Sequence, residues 1–210
     1  MQFESIIFDV DGTLWDSRAL LAQAYNAQLT QEGLPAGVTA EQLRPLFGKT
    51  MTLLADGLFT DIPAPERYAL MDRCIVKMDA FLEKYAGTEM GYPQLRQTME
   101  ALSKNHRLFI VSNGQKGYPQ LAAKKLELSD LIDGYLSFGD TGASKGQTIL
   151  QLMAQHQIES AVYVGDTQGD LEACREANIP FIWTSFGFGQ PESYDAKADK
   201  FSDLWQLLGE

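Results

Sequence analysis

Histidine is nearly absent from this chain. Its 210 residues hold two, His106 and His156, against 28 Asp and Glu and 17 Lys and Arg. No Gly-x-Ser-x-Gly elbow occurs, so a Ser–His hydrolase triad has nothing to be built from. Each histidine lies at a helix-like end ahead of an apolar run and is expected at the surface. Cysteine is as scarce: Cys74 and Cys174 stand far apart, match no metal-ligand or redox spacing, and are expected as buried free thiols. No Walker A loop is present, which removes nucleotide-driven motor chemistry. No apolar run approaches membrane-spanning length, and Met1-Gln2-Phe3-Glu4-Ser5 places no basic region before an apolar core, so a cytoplasmic protein with no membrane partner is expected. Positive charge is also short. A formal net charge of -11 argues against nucleic acid, whose binding draws on clustered Lys and Arg. There is no internal repeat and no low-complexity segment.

What is present is a chain 45% hydrophobic, long enough for one large domain or a core with a smaller second one. Its apolar runs end on reactive side chains. Ile6-Ile7-Phe8 leads into Asp9-Val10-Asp11-Gly12-Thr13-Leu14, and Leu108-Phe109-Ile110-Val111 leads into Ser112-Asn113-Gly114. A polar loop carries Ser144-Lys145-Gly146, and Ala161-Val162-Tyr163-Val164 leads into Gly165-Asp166-Thr167-Gln168-Gly169-Asp170. Buried strands read as such runs, and open α/β sheets place their ligands at the carboxyl ends of parallel strands. Strands are expected near 4–10, 107–112, 134–138, 160–165 and 179–184. A helix with Pro93 in its first turn, burying Leu95, Met99 and Leu102, precedes the second strand, and between the last four strands lie helix-like stretches near 117–128, after Lys145, and from Asp170 through Ala177. That alternation predicts a parallel sheet covered on both faces. Between Leu14 and about Tyr85 strands vanish and helices take over. Ser17 can cap a helix running to about Gly33, Thr39 with Gln42 fits a capping box, and Tyr68, Met71, Ile75, Met78, Leu82 and Tyr85 form one apolar stripe over 65–85.

In their order and spacing the four reactive segments resemble the four motifs of the haloacid dehalogenase-like hydrolase superfamily, in its phosphatase branch. The phosphoglycolate phosphatase-like group, which carries a helical cap after the first motif, is the nearest match. The resemblance covers nearly the whole chain except the cap sequence. It implies an α/β fold with a Rossmann-like parallel core of residues 1–14 and 86–210 and a C1-type helical cap of residues 15–85. It also implies Mg²⁺ as cofactor and a small-molecule phosphate ester as substrate.

The residues fit such chemistry. Asp9 is the candidate nucleophile, a carboxylate able to take a phosphoryl group and split the displacement into two easier steps. Its rival role is metal binding alone, and the resemblance implies that it does both. Asp11 falls in the position of the general acid/base, its backbone carbonyl meeting the metal. Strand alternation points residues 9 and 11 to one face. Thr13 resembles the position that contacts phosphate through its backbone or hydroxyl, and Ser112 and Asn113 offer a hydroxyl and an amide to phosphoryl oxygens. The resemblance pairs Lys145 with Asp9 and the phosphate. Asp166 is assigned to the metal directly, and Asp170 acts through water or by orienting Lys145; hard carboxylate oxygens suit Mg²⁺. Lys49, in the Leu46-Phe47-Gly48-Lys49-Thr50 turn between two cap helices, resembles a specificity loop. The alternatives are a phosphosugar mutase of the same superfamily and a non-catalytic binding or regulatory module. Dehalogenases are disfavoured because they lack an acid at the position of Asp11. No residue pattern specifies an oligomer, and a monomer satisfies the sequence.

Overall fold

Ser5–Phe8 (β1) is buried throughout, as a central parallel strand covered on both faces must be. The computed structural model describes residues 3–209. In it β1 pairs in parallel with Arg107–Ser112 (β2) on one side and Ala161–Gly165 (β4) on the other. Gly134–Ser137 (β3) flanks β2, while Phe181–Thr184 (β5) and Ala196–Ala198 (β6) extend the sheet beyond β4. The order is therefore β3-β2-β1-β4-β5-β6, parallel throughout. Strand order reverses between β1 and β4, and a crevice opens at the carboxyl ends of strands at such a point. Asp9 and Asp166 leave the sheet there.

Alternation along the strands sorts the core into two layers. Ile6, Phe8, Leu108, Ile110 and Val164 face one side, with Leu95–Leu102 (α5), Tyr118–Lys125 (α6) and Asp203–Leu208 (α10). Ile7, Phe109, Val111 and Tyr163 face the other, beneath Lys145–His156 (α8) and Gln168–Ala177 (α9). A one-turn helix, Phe138–Thr141 (α7), follows β3. Between β1 and β2 the chain forms Arg18–Gln31 (α1), Ala40–Leu43 (α2), Met51–Leu58 (α3) and Ala64–Tyr85 (α4) before α5, and α1 packs along α4. Thr39 and Gln42 make the expected capping box, and both cysteines are buried and free. No helix among the described residues is long and apolar enough to cross a membrane.

Several local expectations change. The buried face of α4 is Leu70, Met71, Cys74, Met78 and Leu82, whereas Tyr68 and Tyr85 are exposed; Tyr68 turns its hydroxyl outward to Asp56. Ser17 stands at the N-cap position of α1, its carbonyl accepting from Leu21 N at 2.9 Å, but its side chain makes no capping bond because the hydroxyl donates to Asp11. Pro93 precedes α5, from which Gln94 with φ 62° separates it. Asp170 lies inside the first turn of α9, which Thr167 caps. His106 is buried rather than at the surface, its Nδ1 and Nε2 each 2.7 Å from a carbonyl oxygen, of Phe3 and of Leu208. Carbonyl oxygens only accept, so both bonds form together only when both ring nitrogens carry protons.

Candidate active site

The end of β1 sets Asp9 under the first turn of α8. Its amide continues the sheet ladder to Val164 O at 2.9 Å, and its Oδ1 accepts from Lys145 Nζ at 2.7 Å and from the Tyr163 hydroxyl at 3.4 Å. Lys145 Nζ reaches Asp170 Oδ1 as well, at 2.6 Å. Lys145 is buried along with both carboxylates. The other Asp170 oxygen accepts from Thr167 N at 2.9 Å, Thr167 Oγ1 at 2.7 Å and Asp166 N at 3.2 Å. Asp170 thus stabilises the amino end of α9 and aims the lysine.

Electrostatically the cluster is short of positive charge. Burial pushes the Asp9 carboxyl up to about 7 even with Lys145 beside it. Burial, Asp170 and Asp9 hold Asp166 well above the usual carboxylate range. Burial would raise Asp170 too, but Lys145 and Thr167 outweigh it and the net direction is down. Lys145 stays above its ordinary value because its two carboxylates overcome the cost of burying it. Three buried carboxylates therefore share one ammonium. Oxygens of Asp9, Asp166 and Asp170 lie within 4.8 Å of one another, and Asp166 Oδ1 is buried with no hydrogen-bond partner among the described residues. An orphaned buried carboxylate oxygen beside two other carboxylates fits a hard divalent cation. Gly12, at φ 84°, passes so close that any Cβ there would collide with the Asp166 carboxylate.

The family model for haloacid dehalogenase-like hydrolases matches residues 6–184, from β1 to the end of β5. This chain is a haloacid dehalogenase-like hydrolase. It is 31% identical to a phosphoglycolate phosphatase of Xanthomonas campestris pv. campestris over 96% of its own length and 95% of that protein's. It is 30% identical to one of Aquifex aeolicus, with 97% and 95% covered. Among solved structures, a predicted phosphoglycolate phosphatase from Haemophilus somnus superposes with a TM-score of 0.85 at 20% identity, over 99% of this chain and 98% of that one. The hydrolase belongs to the phosphoglycolate phosphatase-like group of its superfamily, and it is an enzyme of the phosphatase branch.

In this hydrolase Asp9 and Asp11 line one small cavity with Ser112, Asn113 and Lys49. Asp11 is gripped by donors that the motifs do not mark. Its Oδ1 accepts from Ser17 Oγ at 2.5 Å and Trp15 Nε1 at 3.0 Å, and the Tyr118 hydroxyl stands 2.7 Å from both of its oxygens. Burial raises the Asp11 carboxyl to about 6 against the pull of those bonds. Ser112 is buried and accepts from Gly114 N at 3.1 Å, and Asn113 Nδ2 donates across to Gly48 O at 2.6 Å. Thr13 does not line the cavity; its buried hydroxyl faces Thr184 Oγ1 at 3.5 Å and its N–H donates to Val10 O at 3.3 Å, so both groups expected to meet a phosphate are engaged within the protein. Lys49 is exposed.

Phe188 joins the site to the inserted helices. Its N–H donates to Asp166 Oδ2 at 2.6 Å, and its carbonyl accepts from Arg44 Nε at 3.2 Å. Its ring lies against Phe47 edge-on at 5.4 Å and beneath the Arg18 guanidinium at 4.3 Å. Sequence reasoning missed Phe188 and Tyr118, since both reach the site through contacts more than 20 residues distant along the chain. Trp15 and Ser17, four and six residues after Asp11, were within range of a local reading that looked for donors to that carboxylate.

Proposed function

We propose that the protein is a Mg²⁺-dependent phosphatase hydrolysing a small phosphorylated metabolite, a phosphoglycolate-like monoester, through a phosphoaspartyl intermediate on Asp9. The observation that carries this reading is the asymmetry of the Asp9 carboxylate. Oδ1 is held by Lys145, whereas Oδ2 makes no hydrogen bond among the described residues, on a side chain that lines the same cavity as Asp11. One oxygen is fixed and the other is available to attack. In the first step Asp9 Oδ2 bonds to phosphorus, the ester P–O bond breaks, and Asp11 gives its proton to the leaving alkoxide. In the second, water bonds to phosphorus, the aspartyl P–O bond breaks, and Asp11 takes the proton that water loses. A carboxyl raised to about 6 suits both halves of this exchange.

Lys145 favours the ionised form of Asp9 against the effect of burial and offsets charge on the phosphoryl oxygens, with Ser112 and Asn113 as further donors. Asp9, Asp166 and the Asp11 main-chain carbonyl would hold Mg²⁺, with Asp170 behind them on Lys145. When bound, the cation supplies charge neutralisation for the phosphoryl group. Residues 15–85 form the cap that encloses the ester and excludes water, over a core of residues 1–14 and 86–210. Lys49 is its candidate contact with the far end of the substrate.

The test is phosphate release from p-nitrophenyl phosphate with Mg²⁺, lost on chelation and restored by adding the metal; no release under any of these conditions overturns the reading. Lys145→Ala should leave the cation bound and lower kcat by about 10²–10³-fold, the scale of one lost charge-stabilising donor. Unchanged steady-state kinetics would return Lys145 to a structural role.

A further inference from the structure

A carboxyl group turns easily about its Cβ–Cγ bond, so an acid that must hand a proton to one particular oxygen needs something to stop it turning. Two donors from the segment after β1 converge on Asp11 Oδ1, Ser17 Oγ at 2.5 Å and Trp15 Nε1 at 3.0 Å. An oxygen that accepts two such bonds has its lone pairs occupied, which leaves the proton to Oδ2. Oδ2 has one partner among the described residues, the Tyr118 hydroxyl.

Tyr118 opens α6 directly after Gly117, whose φ is 84°, and lines the cavity together with Asp11. Its ring is buried, 6.1 Å from that of Trp15, whose Nε1 also lies 3.3 Å from Tyr118 Oη. Gly114 makes room for this ring, since a Cβ there would stand 2.6 Å from Tyr118 Cδ1. The Tyr118 hydroxyl has one proton to donate and stands 2.7 Å from both Asp11 oxygens. While Oδ2 carries the acid proton, the hydroxyl donates to Oδ1 and the Trp15 N–H is shared with Oη. Once that proton has left, the hydroxyl turns to Oδ2 and meets the charge that appears there, with no movement of heavy atoms.

We propose that Tyr118 is a positioning residue for the general acid: held by Trp15, it keeps Asp11 Oδ2 toward the leaving-group oxygen and steadies the carboxylate left when the proton is given. The inference rests on the phosphatase reading above, in which Asp11 protonates the alkoxide. Its measure is the dependence of rate on the leaving group. An alkoxide is a strong base and needs the proton, whereas p-nitrophenolate leaves without one. kcat/KM covers only the steps up to departure of the alcohol, so the later attack of water does not enter it. The alkyl ester is the better substrate of phosphoglycolate and propyl phosphate, and p-nitrophenyl phosphate is its reference. Tyr118→Phe removes the hydroxyl and keeps the ring. It should lower kcat/KM for the alkyl ester about 10- to 100-fold more than for the aryl ester, no more than the lower end of the roughly 10²–10⁴-fold a general acid supplies in all. Trp15→Phe, which removes the other donor, should move the ratio the same way by a smaller factor, and it decides the matter if Tyr118→Phe does not fold. Equal losses on both esters, the mark of a merely structural role, overturn the inference while the phosphatase reading stands. A wild-type enzyme that cleaves only the aryl ester does the same. No phosphate from any of the three esters removes both readings together.

Discussion

Asp9→Asn abolishes phosphate release, with a loss on the order of 10⁶-fold expected for removal of a nucleophile, and it leaves the fold in place. The amide has the shape of the carboxylate but lacks its charge and nucleophilicity. Stability should hold or rise at neutral pH in the absence of metal. The Asp9 carboxyl sits at about 7 in the folded protein, above its ordinary value. A carboxyl raised by folding destabilises the fold progressively as pH climbs from the unfolded value to the folded one, and that cost is fully present above about 7. Asparagine removes it. Lys145 keeps its second partner, since Asp170 Oδ1 stays 2.6 Å away. Thermal unfolding in chelator at pH 8, set beside single-turnover kinetics with an aryl phosphate, measures both halves. Near wild-type turnover in this variant would show that Asp9 is a metal ligand only.

Asp166→Ala weakens Mg²⁺ binding at least about 100-fold, the upper end of what losing an outer-shell partner costs a metal site. The reason lies in the unpartnered oxygen: Asp166 Oδ1 is buried without a donor, while Oδ2 is occupied by Phe188 N–H. Removing this side chain deletes the one carboxylate oxygen of the cluster that is fully buried and without a hydrogen-bond partner among the described residues. Isothermal calorimetry with Mg²⁺ alone reads the effect independently of turnover. An unchanged affinity would move the ligand role to Asp170, whose oxygens would first have to give up Lys145 and Thr167.

How far such a site can be read from sequence depends on the range of the interactions that build it. Leu108-Phe109-Ile110-Val111 announced β2 because a strand buried on both faces needs an unbroken apolar run, and the polar residues at its end followed. Ala196–Ala198 carries no such run, and a three-residue edge strand was invisible. The stripe on α4 was legible along its middle, where Met71, Met78 and Leu82 are buried and Ile75 packs against the core, and failed at its ends, where Tyr68 and Tyr85 are exposed and only the position of α1 decides that Leu70 turns inward. The motif carboxylates were legible by position, and their surroundings were not. Tyr118 grips Asp11 from 107 residues away, and His106 is drawn inside by two carbonyls that its neighbours in sequence do not supply.

Phe188 binds two parts of the molecule into one energetic unit. Arg44 and Phe47 belong to the inserted segment, and Asp166 to the carboxylate cluster, yet all three are held by this single residue. A displacement of the segment that unpacks the Phe188 ring also releases the N–H that aims Asp166. Linkage of this kind is reciprocal. On the proposed reading, whatever free energy closure of the inserted segment contributes to holding a cation at the carboxyl ends of β1 and β4, the cation returns to closure, and each would raise the other's occupancy by the same factor.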